Sequence, residues 1–167
     1  METWKNIEGF ENYSVSDHGN VKNNKTGRIK KVNASKDGYI RVSLNINNKK
    51  HTQLVHILIA NAFIANPDEK LSVDHIDNNK CNNKLHNLRR ATTTENNQNR
   101  SMRTDNTSGC KGVSWSKRAE KWDTYINIDG MRISLGLFTN LEDAKQARIT
   151  RANQAFGVFT NSCEKII

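Results

Sequence analysis

Residues 73–99 read VDHIDNNKCNNKLHNLRRATTTENNQN. The run SVDHID, ending on Asp74 and His75, has the length and β-branched content of a short strand, and LRRAT after Asn87 reads as a second. The Asn- and Lys-rich stretch between them is a loop. Thr92 and Glu95 stand at capping-box spacing and predict a helix that runs to about Asn99. A strand, a loop, a strand and a helix turn the chain back on itself, so that Asn96 on the first helical turns approaches Asp74. Asn97 fits nearly as well if the helix starts one residue later.

That grouping suits hydrolysis of a phosphodiester. A hard cation must neutralise charge on the scissile phosphate and the leaving oxygen, and oxygen ligands favour Mg²⁺ or Mn²⁺. Asp74 and Asn96 are the candidate metal ligands. A general base must take a proton from water, and an imidazole titrating near neutrality serves; His75 is the candidate. Asn87 either orients that imidazole or pins the loop. Asp77 reads as a turn residue, His86 as a solvated loop residue, and Lys80, Lys84, Arg89 and Arg90 as phosphate contacts.

DH, then NLR beginning twelve residues after the His, then Asn nine residues further on, resembles the HNH (His-Asn-His) nuclease motif, especially the version in phage-type intron homing endonucleases. The resemblance implies a ββα-metal fold, Asp74 and Asn96 on a divalent metal, His75 activating water, and Asn87 as the middle Asn. The last position departs from the pattern, since Asn96 stands where the motif's name has His. The amide oxygen is still a donor, so activity is expected.

Outside this stretch the composition points the same way. The chain has 167 residues, 35 % of them hydrophobic, which favours small modules with thin cores over one large core. Its net charge of +9 is distributed as +5 over residues 1–50, +1 over 51–100 and +3 over 101–167. Basic flanks around a near-neutral middle suit a protein that grips a polyanion at both ends. Three widely spaced cysteines, Cys81, Cys110 and Cys163, form no zinc-ligand spacing and read as free thiols of a reducing compartment. No run is long and apolar enough for a membrane span or signal peptide, so a soluble intracellular protein is expected, in the host cytoplasm if phage- or virus-encoded.

The N-terminal segment, residues 1–50, opens WKNIEGFENYSVSDHGNV and reads as short strands and turns. It looks like the modular segment that often precedes such nuclease domains, with Lys22, Lys25, Arg28, Lys30 and Lys31 available for phosphate. Ile40, Val42 and Leu44 alternate with polar neighbours in a half-buried strand, and Asn47-Asn48 makes a turn. Val55, Leu58, Ile59, Ala62 and Phe63 recur at helical spacing and predict a helix over about 52–65, stopped by Pro67. His56 beside that apolar stripe reads as a structural histidine.

Residues 101–109 read as a linker. In the segment 110–167, Ile126 and Ile128, then Ile133 and Leu135, alternate with polar residues around Asp129-Gly130, the signature of a hairpin. With the run near Val113 this predicts a three-stranded antiparallel sheet. Thr139 to Glu142 has capping-box spacing for a helix from Leu141 to Phe156, closed by Gly157. KGVSW, EKW, INIDGMRISLGLF and the Ala-rich helix ending AFG resemble the ethylene-response-factor (APETALA-type) DNA-binding domain of plants. That resemblance implies DNA-facing positions at Lys111, Gly112, Ser114, Ser116, Tyr125, Asn127, Arg132 and Ser134. Ser114 and Ser116 stand where the plant domains carry Arg, so base readout is expected to be weaker. Trp122 is expected in the core.

The sequence therefore predicts an α+β protein: a ββα-metal nuclease module over 51–100, an N-terminal β-rich segment, and a C-terminal sheet packed on one helix. It is expected to be a monomeric, Mg²⁺- or Mn²⁺-dependent homing endonuclease that binds double-stranded DNA and nicks one strand per engagement. The alternative is a DNA-binding regulator that keeps an inactive nuclease scaffold.

Overall fold

Short alternating runs, each too small to bury much alone, dictate a mixed α+β architecture. The computed structural model describes residues 1–165 and divides into two units, Met1–Thr93 and Thr94–Ile167.

In the first unit, β1 (Trp4–Ile7), β2 (Phe10–Ser16) and β3 (Val21–Asn23) form an antiparallel sheet in that order. A second sheet has the order β4 (Val32–Ala34), β5 (Ile40–Ile46), β6 (Lys49–Leu54). Asn47 and Asn48 lie at φ of 49° and 60°, the left-handed pair that a tight hairpin needs. This turn gives Lys49–Leu54 a partner on β5, with Ile46 opposite Lys49 and Arg41 opposite Leu54. Residues 52–54 are consequently strand, and the following helix, α1, spans Val55–Phe63 and not 52–65. The helix packs Val55, Leu58 and Ile59 into one core with Ile7, Val15, Val42 and Leu44. Burying each such side chain contributes about 1.5–3 kcal/mol. The N-terminal strands and α1 thus stabilise each other, with no break in the core near residue 50.

Two strands of this unit carry the motif. β7 (Ser72–His75) pairs antiparallel with β8 (Leu88–Ala91), placing Asp74 opposite Arg89 and His75 opposite Leu88. Val73 and Leu88 turn into the core. The helix α2 (Thr93–Asn99) follows and carries the chain into the second unit.

In the second unit β9 (Val113–Ser116), β10 (Lys121–Ile128) and β11 (Met131–Phe138) form an antiparallel sheet with β10 central. Asp129 and Gly130, both at positive φ, turn β10 into β11. The helix α3 (Leu141–Phe156) buries Ala144, Arg148, Ala152 and Phe156, a strict four-residue stripe. Ala152 and Phe156 pack with Ile126, and Ala144 with Val113. The helix cap is Asn140, whose side-chain oxygen accepts from the Glu142 amide at 2.7 Å. Thr139, expected to cap by its spacing to Glu142, lies one residue too early. Among the described residues no helix is long and apolar enough to cross a membrane.

Candidate active site

Asp74 and His75 are consecutive residues at the end of β7, and both side chains are about 95 % buried. Neighbours on a strand point to opposite faces, so each needs its own partner. Asp74 receives Arg89 from the facing position on β8: Nε and Nη2 donate to its Oδ2 at 2.8 and 2.6 Å. Arg89 is thereby engaged with the carboxylate and orients it, in place of the phosphate contact its charge suggested. Arg90, half-buried, donates through Nη2 to Asn61 Oδ1 at 3.0 Å, an exposed bond at the surface.

His75 is held by Asn83. Its Nε2 lies 2.9 Å from Asn83 Oδ1, and Asn83 is itself buried. A carboxamide oxygen only accepts, so Nε2 carries the hydrogen, and the lone pair of the neutral ring is on Nδ1. Of the two roles open to Asn87 it takes the other: it pins the loop. Asn87 Oδ1 accepts from the Asp77 amide, and its Nδ2 donates to Asp77 Oδ1 and the Asn82 carbonyl. Asp77 closes a local turn by accepting from the Asn79 amide at 2.8 Å and takes a further bond from Asn82 Nδ2. Burial alone would raise the Asp77 carboxyl, but the bonds from Asn82, the Asn79 amide and Asn87 outweigh it and hold it below the usual range. The asparagines of the loop are therefore its framework. His86 is exposed.

Behind His75 stands a cluster of rings tilted against one another. His56, the second residue of α1, is 4 % exposed, and its ring centroid lies 4.9 Å from that of His75 and 5.1 Å from that of Tyr39. Lys80 Nζ sits 4.4 Å above the Tyr39 ring and donates to the Asp37 carbonyl. Desolvation, then the neighbouring His75 and Arg41, pull the His56 pKa down to about 4.

Asn96 is half-buried on α2, and Asn97 is exposed. Asp74 belongs to the first unit and Asn96 to the second. Among the described residues no group of three or more His, Cys, Asp and Glu side chains gathers as a metal cage. One carboxylate and one carboxamide fall short of the three or four Cys, His or carboxylate ligands that a zinc site uses. Carboxylate and carboxamide oxygens are donors of the kind a hard divalent cation takes while keeping several waters and sharing phosphate oxygens with a substrate.

In the second unit Ser114, Asn127, Arg132 and Ser134 are exposed on the sheet, while Tyr125 and Ser116 are half-buried. Arg132 stacks its guanidinium 3.6 Å from the Tyr125 ring centre and pairs with Asp123 at 3.1 Å. Lys111 instead turns inward. Its ammonium lies 3.1 Å from the fully buried Glu164 and donates to the carbonyls of Gln98 and Arg100. Gly112, at φ +67°, lies against the Tyr125 carbonyl and Arg148, so its place in the sequence has a steric cause. Trp122 is half-buried against the core and meets Trp115 edge-on at 5.2 Å, whereas Trp115 is 47 % exposed.

Comparison with known proteins places β7 and β8 within a matched family region. The family described as HNH endonuclease matches residues 53–98, and the NUMOD4 motif matches residues 2–45. A solved structure of the HNH homing endonuclease I-HmuI, described for its DNA binding and cleavage, is similar with a TM-score of 0.56 at 34 % identity. The similarity covers 79 % of this chain and 76 % of that one. The chain belongs to the HNH endonuclease family. The DNA endonuclease I-HmuI of Bacillus phage SP01 is 43 % identical over 101 residues, covering 60 % of this chain and 58 % of its relative. The HNH endonuclease L245 of Acanthamoeba polyphaga mimivirus is 36 % identical over 141 residues, covering 83 % of this chain and 41 % of L245. This family member thus spans less than two thirds of each of those two curated relatives.

Proposed function

We propose that this HNH family member is a metal-dependent DNA endonuclease of homing type that nicks one strand of double-stranded DNA per engagement. The observation that carries the reading is the buried Asp74–His75 pair at the end of β7, with His75 Nε2 fixed on Asn83. Asp74 and Asn96 supply the oxygens that would hold Mg²⁺ or Mn²⁺. Such an ion, when bound, neutralises charge on the scissile phosphate and the leaving oxygen. His75 takes a proton from the attacking water at Nδ1. The water oxygen bonds to phosphorus, the bond to the 3′ oxygen breaks, and that oxygen is protonated from solvent. The ends are a 5′-phosphate and a 3′-hydroxyl. Asn87 acts on this chemistry through the loop it pins.

DNA is held by the flanks in this reading, with the protein acting as a monomer. The sheet face bearing Ser114, Ser116, Tyr125, Asn127, Arg132 and Ser134 would lie against the groove, as the APETALA resemblance implies. Its support is a three-stranded sheet backed by one helix, with those side chains largely on the outer face. Lys111 and Gly112 are assigned to shaping this module. The basic N-terminal segment would add phosphate contacts.

The test is a supercoiled plasmid carrying the DNA that flanks the gene, incubated with protein and Mg²⁺ or Mn²⁺. Nicking that EDTA abolishes and His75→Ala lowers by about 10²–10⁴ is the expected result. A gel shift on the same DNA without any nick would leave a DNA-binding regulator and overturn the enzyme.

A further inference from the structure

We propose that His56 is a positioning residue for His75, its buried ring serving as the wall against which the imidazole of His75 is set. The proposal rests on the reading of His75 as the general base. Four observations carry it. His56 and His75 come from different elements, α1 and β7, yet their ring centroids are 4.9 Å apart, in direct contact. Tyr39 closes on both rings, at 5.1 Å from His56 and 6.2 Å from His75, so the His75 ring is confined on one side by two aromatic surfaces. On its edge Asn83 holds Nε2. Finally, His56 Nδ1 is buried with no hydrogen-bond partner among the described residues.

That last feature sets His56 apart from an ordinary core side chain. An unsatisfied nitrogen is destabilising relative to an apolar group of the same shape, and such a group in a folded protein calls for a reason. A protonated or hydrogen-bonded neighbour would compete with the water that His75 must reach. A flat, neutral ring restrains His75 and offers it no charge. Burial keeps His56 in that neutral form at physiological pH. Asn83 then sets which nitrogen is basic, and His56 with Tyr39 sets the plane in which it points. A general base depends on both.

The decisive readout needs no DNA. Side-chain ¹⁵N spectra of the full chain report the His75 tautomer, and the parent is expected to show Nε2 protonated. In His56→Ala the ring is free to turn out of its plane and off Asn83 Oδ1, so that tautomer should give way to an averaged ring. The nicking rate should fall by about tenfold or more while the gel-shift Kd stays within about twofold. A folded His56→Ala protein that keeps both the Nε2–H signature and the parent nicking rate overturns the proposal. If the alanine variant does not fold, His56→Leu, which keeps bulk and loses the planar ring, is read by the same two criteria. Nicking that survives in His75→Ala would instead remove His75 as base, a failure distinguishable from the tautomer result.

Discussion

His75 donates through Nε2 to the amide oxygen of Asn83, 2.9 Å away, and both side chains are buried. The bond joins the end of a strand to the middle of an Asn-rich loop, so the loop conformation decides which ring nitrogen is basic. Asn83→Ala would leave Nε2 without its acceptor at a cost of about 1–3 kcal/mol in stability. The nicking rate should drop about tenfold or more, part of the 10²–10⁴ a general base supplies, with DNA affinity unchanged. Single-turnover nicking beside a gel shift checks this; parallel losses in rate and affinity would mean that Asn83 serves only the loop.

Asp74 and Arg89 face each other across β7 and β8 as a largely buried ion pair. Removing one partner of such a pair leaves an uncompensated charge and costs about 3–5 kcal/mol. Arg89→Met should therefore destabilise the protein by roughly that amount in urea unfolding. Asp74→Asn together with Arg89→Met should cost less than the two single changes added. Strict additivity would show that the two side chains are not energetically coupled.

The ββα segment was legible because its signals are local. Period, turn chemistry and the Asp-His step place β7, β8 and α2 within a residue or two. Asn83 was not legible: in a loop with asparagines at 78, 79, 82, 83 and 87, nothing local distinguishes the one that reaches His75 from those that tie the turn. Arg89 misled for a related reason, since only the strand register reveals that it lies opposite Asp74. β6 was hidden because KKHTQL has no apolar alternation and becomes a strand through its partner β5. Lys111 shows the same limit, because its acceptor Glu164 is more than fifty residues away and buried only by tertiary packing.

The low pKa of His56 has a stability consequence with a definite sign. In the unfolded chain the imidazole takes up a proton near pH 6.5, whereas in the folded protein desolvation, His75 and Arg41 delay this to about 4. The depressed group contributes its full stability above pH 6.5. That contribution is lost as pH falls toward 4 and is flat below. Between pH 7.5 and 5 the loss should be on the order of 2 kcal/mol. Urea unfolding at both pH values in the parent and in His56→Phe measures it. A variant with the same pH slope as the parent would assign the slope to other groups.

Gly112 and Gly130 both lie at positive φ, +67° and +79°, yet they should respond differently to alanine. At Gly130 a Cβ meets nothing within 4 Å, so the backbone conformation alone resists the change and about 1 kcal/mol is expected. At Gly112 the added carbon would lie 2.2 Å from the Tyr125 carbonyl oxygen and 2.9 Å from Arg148 Nε. The first of these is backbone, held by the bond from the Tyr125 amide to the Gly112 carbonyl at 2.8 Å, so it cannot swing aside. Gly112→Ala must therefore part β10 from residue 112 and disturb Arg148 above Glu164, adding overpacking of about 1–3 kcal/mol to the conformational cost. Thermal unfolding of the two variants should show a clearly larger fall for Gly112→Ala. Equal falls, together with a selective loss of DNA affinity in Gly112→Ala, would instead place residue 112 against the nucleic acid.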